Sequence, residues 1–161
     1  MKLHLNSECG IEPPKRLYVD MDGVLVDFNS GVNRLSNAMF KQYSGRVKNA
    51  PGIYSLMDPM PGAIEALKRL REKYDIYILS TAPWDNPSAW SDKLNWVKLN
   101  MDEYYVKRLI LTHHKNLLNG SFLIDDNDTH GAGQFGGELI RLGSSSFPDW
   151  PAVEAYLNQK A

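Results

Sequence analysis

The sequence has little of what defines several large classes of protein. Its 161 residues include one cysteine, Cys9, which excludes an internal disulfide framework and a paired-thiolate metal site. No apolar run approaches the length needed to span a membrane, and the N-terminus lacks the apolar core of a secretory signal. We therefore expect a cytoplasmic protein without a membrane partner.

An excess of charge of either sign is also missing. The chain has 18 Lys and Arg against 19 Asp and Glu, a formal net charge of -1 at pH 7. A nucleic-acid-binding protein usually carries a strong basic patch, so no nucleic acid polymer is expected as a partner. An anionic substrate would have to be held by local groups. The length allows one domain with a proper core and leaves a homodimer open.

The most informative segment is 17–28, LYVDMDGVLVDF. Leu17 and Val19 alternate as in a buried strand, and Gly23 breaks the extended pattern. Asp20 and Asp22 therefore stand where a strand ends. Ligands of open α/β sheets bind at the carboxyl ends of strands, so the pair is placed for chemistry. On this segment alone, a polar turn without function is the alternative.

The rest of the chain alternates apolar strands with helical patterns. Strands are also predicted at 75–81, 109–112, 121–124 and 138–142. Helices are predicted from Phe28 to Tyr43, after Pro61, around a buried stripe of Trp90, Leu94 and Val97, and after an N-cap at Asp149. This alternation predicts a Rossmann-like three-layer α/β/α fold with a mostly parallel sheet.

Polar residues follow four of the apolar strands. They are Asp20 and Asp22, Ser80 and Thr81, Lys115, and Asp125 and Asp126. In a parallel sheet these strand ends meet at one edge, and the coincidence of all four is far less expected by chance than any one of them. The sequence therefore predicts one functional site at that edge.

The chemistry of this set favours phosphoryl transfer. Four close carboxylates would repel one another and raise one another's pKa values unless a cation lies among them, and oxygen ligands suit Mg²⁺. The hydroxyls of Ser80 and Thr81, together with Lys115 and Mg²⁺, would cradle a phosphoryl group. Without a Ser-His-Asp or Cys-His set, the available nucleophile is a carboxylate, which can form an aspartyl-phosphate.

The same residues carry a family resemblance. In order, DMDGV at 20–24, LST at 79–81, Lys115 and IDD at 124–126 resemble motifs one to four of the haloacid dehalogenase (HAD) superfamily. The longer segments DMDGVLVDF, STAPW, LTHHK and LIDD are similar to those of the 5'(3')-deoxyribonucleotidase family within it. The resemblance implies a HAD-like fold and a Mg²⁺-dependent 5'-nucleotidase, a phosphoric monoester hydrolase.

The resemblance also implies roles for single residues. Asp20 would be the nucleophile and a Mg²⁺ ligand, and Asp22 the general acid and base, with its backbone carbonyl on the metal. Asp126 would ligate Mg²⁺ with support from Asp125. Lys115 and Thr81 would contact the phosphate, and Phe28 would line the substrate pocket. Superfamily dehalogenases and phosphonatases lack an acid at the Asp22 position, which favours phosphate ester hydrolysis.

The predicted organisation is one HAD-like domain over residues 1–161. Residues 1–14 are a leader, 15–28 and 60–161 the core, and 29–59 a small helical cap rich in Gly and Pro. A plain surface excursion is the alternative for 29–59. The family stacks the base on cap aromatics, and this segment offers only Phe40, Tyr43 and Tyr54.

Four aromatic residues near the motifs have structural interpretations. We expect Trp84 and Trp90 to pack in the core, with Trp84 at the pocket border as the alternative. His113 and His114 are adjacent and face opposite ways in extended chain, so a solvated loop pair is favoured over a catalytic role.

The sequence thus predicts a phosphomonoesterase acting on nucleoside monophosphates, deoxyribonucleotides in particular. A phosphatase of the same superfamily acting on a sugar phosphate or phosphoglycolate is the alternative. A phospho-accepting receiver domain is a rival of another class. Its chain order differs, because a receiver places its acidic pair on an early strand and its phospho-accepting Asp on a central one, whereas here the pair Asp125 and Asp126 comes last. Asp22 would also have no task in a stable acyl-phosphate.

Overall fold

The computed structural model describes residues 12–161. The strands are β1 (Lys15–Val19), β2 (Val26–Asp27), β3 (Asp58–Pro59), β4 (Tyr74–Ser80), β5 (Leu109–Leu111), β6 (Phe122–Asp125) and β7 (Glu138–Arg141). The helices are α1 (Phe28–Asn33), α2 (Asn37–Gln42), α3 (Ala63–Leu70), α4 (Ser88–Asn100) and α5 (Trp150–Lys160). Cys9 and most of the predicted leader, 1–14, lie outside the described residues.

The central sheet has five parallel strands in the order β5-β4-β1-β6-β7. Strand β1 lies in the middle, where Val19 pairs with Ile78 of β4 and with Ile124 of β6. Leu17, Tyr18 and Val19 are all buried, as expected of a strand covered on both faces. This register brings the ends of β1, β4 and β6 side by side, and the predicted α/β fold is confirmed.

The two faces of the sheet are covered differently. On one face, Leu17 and Val19 pack in a large core to which α3, α4 and α5 contribute Leu67, Trp96 and Leu157. On the other face, a smaller cluster around Tyr18 is covered by short 3₁₀ turns at Lys115–Leu117 and Ala132–Gln134. No helix within residues 12–161 is both long and apolar enough to cross a membrane.

The predicted single helix from Phe28 to Tyr43 is wrong. Helix α1 ends at Asn33, and α2 begins only at Asn37. Ser36 stands between them in extended conformation, and its side-chain oxygen accepts a hydrogen bond from the Met39 backbone N–H. A serine that caps a helix in this way starts a new helix, although the apolar spacing runs through both.

The buried stripe predicted for α4 is also wrong in part. Val97 is buried, but Trp90 is 40% and Leu94 44% exposed. The buried face instead consists of Ala89, Lys93, Trp96 and Val97. The buried face therefore differs from the predicted one, and it includes a charged residue, Lys93.

Residues 29–59 leave the core through β2 and return through β3, which pair antiparallel. The segment contains α1, α2 and two 3₁₀ turns, Val47–Asn49 and Ile53–Ser55. The Asn86 side-chain amide donates to the carbonyls of Lys48 and Ala50, which ties the segment to the start of α4. That the segment acts as a cap stays a prediction.

Asp149 caps α5 as predicted, since its carboxylate accepts a hydrogen bond from the Ala152 N–H at 3.0 Å. We expect Asp149→Ala to lower the free energy of unfolding by about 1 kcal/mol, the usual cost of losing an N-cap. For a chain of this size that corresponds to a melting temperature lower by roughly 2–4 °C. Asp149→Asn keeps a capping oxygen and should melt close to wild type. Equal melting of both variants would contradict the role.

Candidate active site

A cleft of about 310 Å³ opens at the carboxyl end of the sheet. Four residues predicted from the sequence line it: Asp20, Asp22, Thr81 and Lys115. The backbone N–H of Asp20 donates to the Ile124 carbonyl at 2.9 Å, which fixes the end of β1 beside β6. The structure therefore brings the ends of the predicted strands together, as the parallel topology requires.

The turn after β1 requires a glycine. Gly23 has a φ of +75°, and a Cβ at this position would lie 2.3 Å from Asp126 Oδ2. The N–H groups of Leu25 and Val26 both donate to the Met21 carbonyl, which closes the turn tightly. A glycine is needed here both for the backbone conformation and for the close approach of Asp126.

Lys115 joins two of the carboxylates. Its buried Nζ lies 3.0 Å from Asp20 Oδ1 and 2.6 Å from Asp125 Oδ2. Burial lowers the pKa of Lys115, but the charges of Asp20 and Asp125 outweigh burial, and the net pKa is raised. Lys115 is therefore a permanent positive charge between these two groups.

Three carboxylates form a group that could hold a metal ion. Asp20, Asp125 and Asp126 each offer an oxygen, and these oxygens lie within 4.8 Å of one another. Burial, and then the charge of Asp20, raise the pKa of Asp125 to about 7 and shift the pKa of Asp126 upwards. An all-oxygen set whose negative charges are not fully balanced suits a hard divalent cation.

Asp22 is held separately from this group. Its Oδ2 accepts a hydrogen bond from Lys93 Nζ at 2.7 Å, whereas its buried Oδ1 has no hydrogen-bond partner among the described residues. Burial raises the pKa of the Asp22 carboxyl, the charge of Lys93 opposes this, and Asp20 adds to it, with a net upward shift. Asp22 also lines the cleft, with its side chain 30% exposed.

Lys93 is the site residue that sequence reasoning missed. Its side chain is fully buried, and its Nζ also donates to Ser80 Oγ at 2.9 Å. The signal lay in the spacing, because Lys93 stands four residues after Ala89 and three before Trp96, on one helical face. A lysine in the middle of a buried helical face requires a charged partner.

Of three further residues predicted to contact the phosphate or the substrate, only one lines the cleft. Thr81 lines the cleft, and its hydroxyl donates to the Thr112 carbonyl at 2.7 Å. Ser80 lies behind the cleft, fully buried against Lys93. Phe28 packs against Tyr54 with ring centroids 6.0 Å apart and is not among the residues that line the cleft. The roles of all three stay predictions.

Aromatic rings form a rim around the cleft. Trp84 is 80% exposed at this rim, so the prediction that Trp84 and Trp90 pack in the core is wrong. The His113 ring lies 5.9 Å from Trp84, 6.2 Å from Trp90 and 5.8 Å from His130. His113 is therefore packed among rings rather than solvated, whereas His114 is exposed as expected.

Among the aromatics of segment 29–59, one reaches the cleft. Tyr54 lines it, and burial raises the pKa of the Tyr54 phenol above its usual range. Phe40 is 49% exposed, and Tyr43 packs against the larger core. Lys48 and Asn49 complete this wall of the cleft.

Comparison with known proteins agrees with this geometry. A family model described as "5' nucleotidase, deoxy (Pyrimidine), cytosolic type C protein" matches residues 42–147. The chain belongs to this family. A protein of Vibrio phage KVP40, provisionally named a 5'(3')-deoxyribonucleotidase, is 51% identical over 144 residues, which cover 89% of this chain and 85% of the relative. The human cytosolic-type 5'(3')-deoxyribonucleotidase is 29% identical over 143 residues and 71% of each chain.

Solved structures agree on the fold. A provisionally assigned HAD hydrolase from Bacillus subtilis, determined with bound magnesium, superposes with a TM-score of 0.62. The match covers 91% of this chain and all of the other, at 12% identity. The predicted HAD-like fold is confirmed.

The raised pKa values predict how stability depends on pH and metal. A carboxyl whose pKa is raised in the folded state destabilises the fold once the pH exceeds its unfolded value, near 4. Asp125, with a pKa of about 7, should therefore make the metal-free protein lose stability between pH 4 and 7. Mg²⁺ at about 100 times its Kd should restore roughly 2.7 kcal/mol, or about 5–10 °C.

Thermal melts at pH 5 and pH 8, with EDTA or with Mg²⁺, measure both effects. The shift caused by Mg²⁺ should be larger at pH 8, because protons compete with the metal at pH 5. In Asp126→Asn the shift should shrink at both pH values. A Mg²⁺ shift that is equal at both pH values, or unchanged in Asp126→Asn, would contradict a metal at this carboxylate group.

Proposed function

We propose that this chain is a Mg²⁺-dependent phosphatase that hydrolyses deoxyribonucleoside monophosphates to nucleoside and phosphate through phosphorylated Asp20. The observation that carries the proposal is the arrangement of two carboxylates in one cleft. Asp20 is held by Lys115 beside the acidic group, and the partly exposed side chain of Asp22 lines the same cleft. Membership in a family of 5' nucleotidases supports the same reaction class.

In the first step, an Asp20 oxygen attacks phosphorus and the bond from phosphorus to the ester oxygen breaks. The leaving nucleoside oxygen takes the proton of Asp22, so that a neutral alcohol departs. Lys115, 3.0 Å from Asp20, stays close to the phosphoryl oxygens as negative charge builds on them. The hydroxyl of Thr81, in the same cleft, can contact a phosphoryl oxygen.

In the second step, water hydrolyses the aspartyl-phosphate. Asp22, now a carboxylate, takes a proton from the water as its oxygen attacks phosphorus. The bond between phosphorus and Asp20 breaks, which releases phosphate and restores the Asp20 carboxylate. Asp22 thus gives a proton in the first step and takes one back in the second, because the second step is the reverse of the first with water in place of the alcohol.

The donors present fit Mg²⁺. Asp20, Asp126 and the backbone carbonyl of Asp22 would hold the ion, with Asp125 supporting them through its contact with Lys115. Bound there, Mg²⁺ would supply positive charge to the phosphoryl oxygens and offset the repulsion among the carboxylates.

The walls of the cleft suit the rest of a nucleotide. Trp84 is 80% exposed at the rim, and Tyr54 and Asn49 of segment 29–59 also line the cleft. Bases stack on such rings with little regard to sequence, since every base has a π face. We therefore propose that Trp84 supplies the base contact that the cap aromatics supply elsewhere in the family.

Phosphate release from a panel of 5'- and 3'-deoxyribonucleotides, ribonucleotides and sugar phosphates tests the function. With Mg²⁺, wild type should prefer deoxyribonucleotides, and EDTA should abolish release. Asp20→Asn should be inactive because the nucleophile is lost. Asp128→Asn neutralises an exposed carboxylate outside the cleft lining and should remain active. Turnover by Asp20→Asn would refute the mechanism, and activity on sugar phosphates alone would refute the nucleotide assignment.

Loss of the Trp84 ring should weaken nucleotide binding selectively. Stacking of a base on an aromatic side chain contributes about 1–3 kcal/mol, so Trp84→Ala should raise the KM for deoxyribonucleotides at least about 5-fold. Inhibition by inorganic phosphate, which has no base, should be unchanged. Trp90→Ala removes a ring that touches His113 but does not line the cleft, and its KM should stay near wild type. Equal KM values in both variants would exclude the stacking role.

A further inference from the structure

We propose that Lys93 is a positioning residue for Asp22, and that it holds the Asp22 carboxyl group in the orientation from which a proton passes to the leaving group. The inference rests on the proposed function, because it concerns how one of its steps is carried out. Nothing in the sequence motifs assigns Lys93 a role. The case is made by its burial, its contacts and the orientation that these impose on Asp22.

The ammonium group of Lys93 is fully occupied by protein. Its Nζ donates to Asp22 Oδ2 at 2.7 Å and to Ser80 Oγ at 2.9 Å. It also lies 4.6 Å from the centroid of the Tyr54 ring, within the range of a cation–π contact. An ammonium group has three donors, and these three neighbours account for them. Lys93 therefore has no donor left to offer a substrate.

Burial supports the same conclusion. The Lys93 side chain has no exposed surface and is not among the residues that line the cleft. Lys115, by contrast, lines the cleft and contacts Asp20 directly. The two lysines thus serve different carboxylates: Lys115 holds the nucleophile at the cleft surface, and Lys93 holds Asp22 from behind.

Stability alone gives a weak reason for a lysine at this position. A buried ion pair loses much of its attraction to the cost of removing both charges from water, and apolar residues of similar size often replace such pairs without loss. The other buried residues of this helical face, Ala89, Trp96 and Val97, are apolar. The contact of Lys93 with Asp22 therefore points to a role in the site.

The contact with Lys93 fixes the orientation of the Asp22 carboxyl group. Oδ2 is held by Lys93, and Oδ1 is buried without a partner among the described residues. Without Lys93, the carboxyl group can rotate about its Cβ–Cγ bond, and neither oxygen keeps a fixed position. A displacement of about 1 Å in such a group can cost roughly 100-fold in rate.

The test compares two leaving groups. The alkoxide of a nucleoside is a poor leaving group unless an acid protonates it, whereas p-nitrophenolate is a good leaving group without protonation. Because kcat/KM reports the steps up to departure of the leaving group, it depends on the acid only for the first substrate. Lys93→Met should lower kcat/KM for a deoxyribonucleotide about 10- to 100-fold, and for p-nitrophenyl phosphate less than about 3-fold.

Three controls separate positioning from other roles. Asp22→Asn should show the same selective loss, and adding Lys93→Met to it should cause little further loss, because the two residues act as one unit. Inhibition by inorganic phosphate should be unchanged in Lys93→Met, since Lys93 does not touch the phosphate. Lys98→Met removes an exposed lysine of the same helix and should behave as wild type.

Each alternative outcome overturns the inference. Equal losses on both substrates would make Lys93 structural, and weaker phosphate inhibition would make it a phosphate ligand. If Lys93→Met does not fold, Ser80→Ala replaces it, because this change removes one hydrogen bond that holds Lys93. Ser80→Ala must then lower kcat/KM less than expected for Lys93→Met, but with the same selectivity for the deoxyribonucleotide. An equal loss of kcat/KM on both substrates rejects the role. Failure of the proposed function is distinguishable, because wild type itself would then release no phosphate from the deoxyribonucleotide.

Discussion

Repulsion among the carboxylates at one edge of the sheet is the constraint on which the rest of the site depends. Asp20, Asp22, Asp125 and Asp126 meet there, and burial alone already disfavours the charged forms of Asp22, Asp125 and Asp126. Two buried lysines offset part of this negative charge: Lys115 lies between Asp20 and Asp125, and Lys93 pairs with Asp22. The negative charge that remains is what a divalent cation would balance.

The fold brings these charges together by simple means. The central strand β1 is paired in parallel on both sides. Backbone hydrogen bonds therefore hold Asp20 and Asp125 at adjacent strand ends, independently of their side chains. Gly23 then lets the chain turn within contact of Asp126. The strand and the turn together place Asp20 beside Lys115, and Asp22 beside Lys93.

The sequence predicted what depends on local pattern and missed what depends on distant partners. The strands, the helix cap at Asp149 and the polar strand ends follow from residues close together in the chain. The pair Lys93 and Asp22 joins residues 71 positions apart, and the helical spacing that marks Lys93 as buried does not identify its partner. Large apolar side chains are usually buried, so the sequence predicts Trp84 in the core. Its exposure at the cleft rim is the kind of exception that marks a binding surface.

Helix α4 connects the chemistry of the site with the shape of its cleft. Its Lys93 holds Asp22, and the ring of Tyr54 lies against the same ammonium group while lining the cleft. Asn86, just before the helix, holds the carbonyls of Lys48 and Ala50. The wall that would meet the nucleoside is therefore anchored to the helix that orients the acid. Helix α4 and the residue before it thus hold both the carboxyl group of Asp22 and one wall of the cleft.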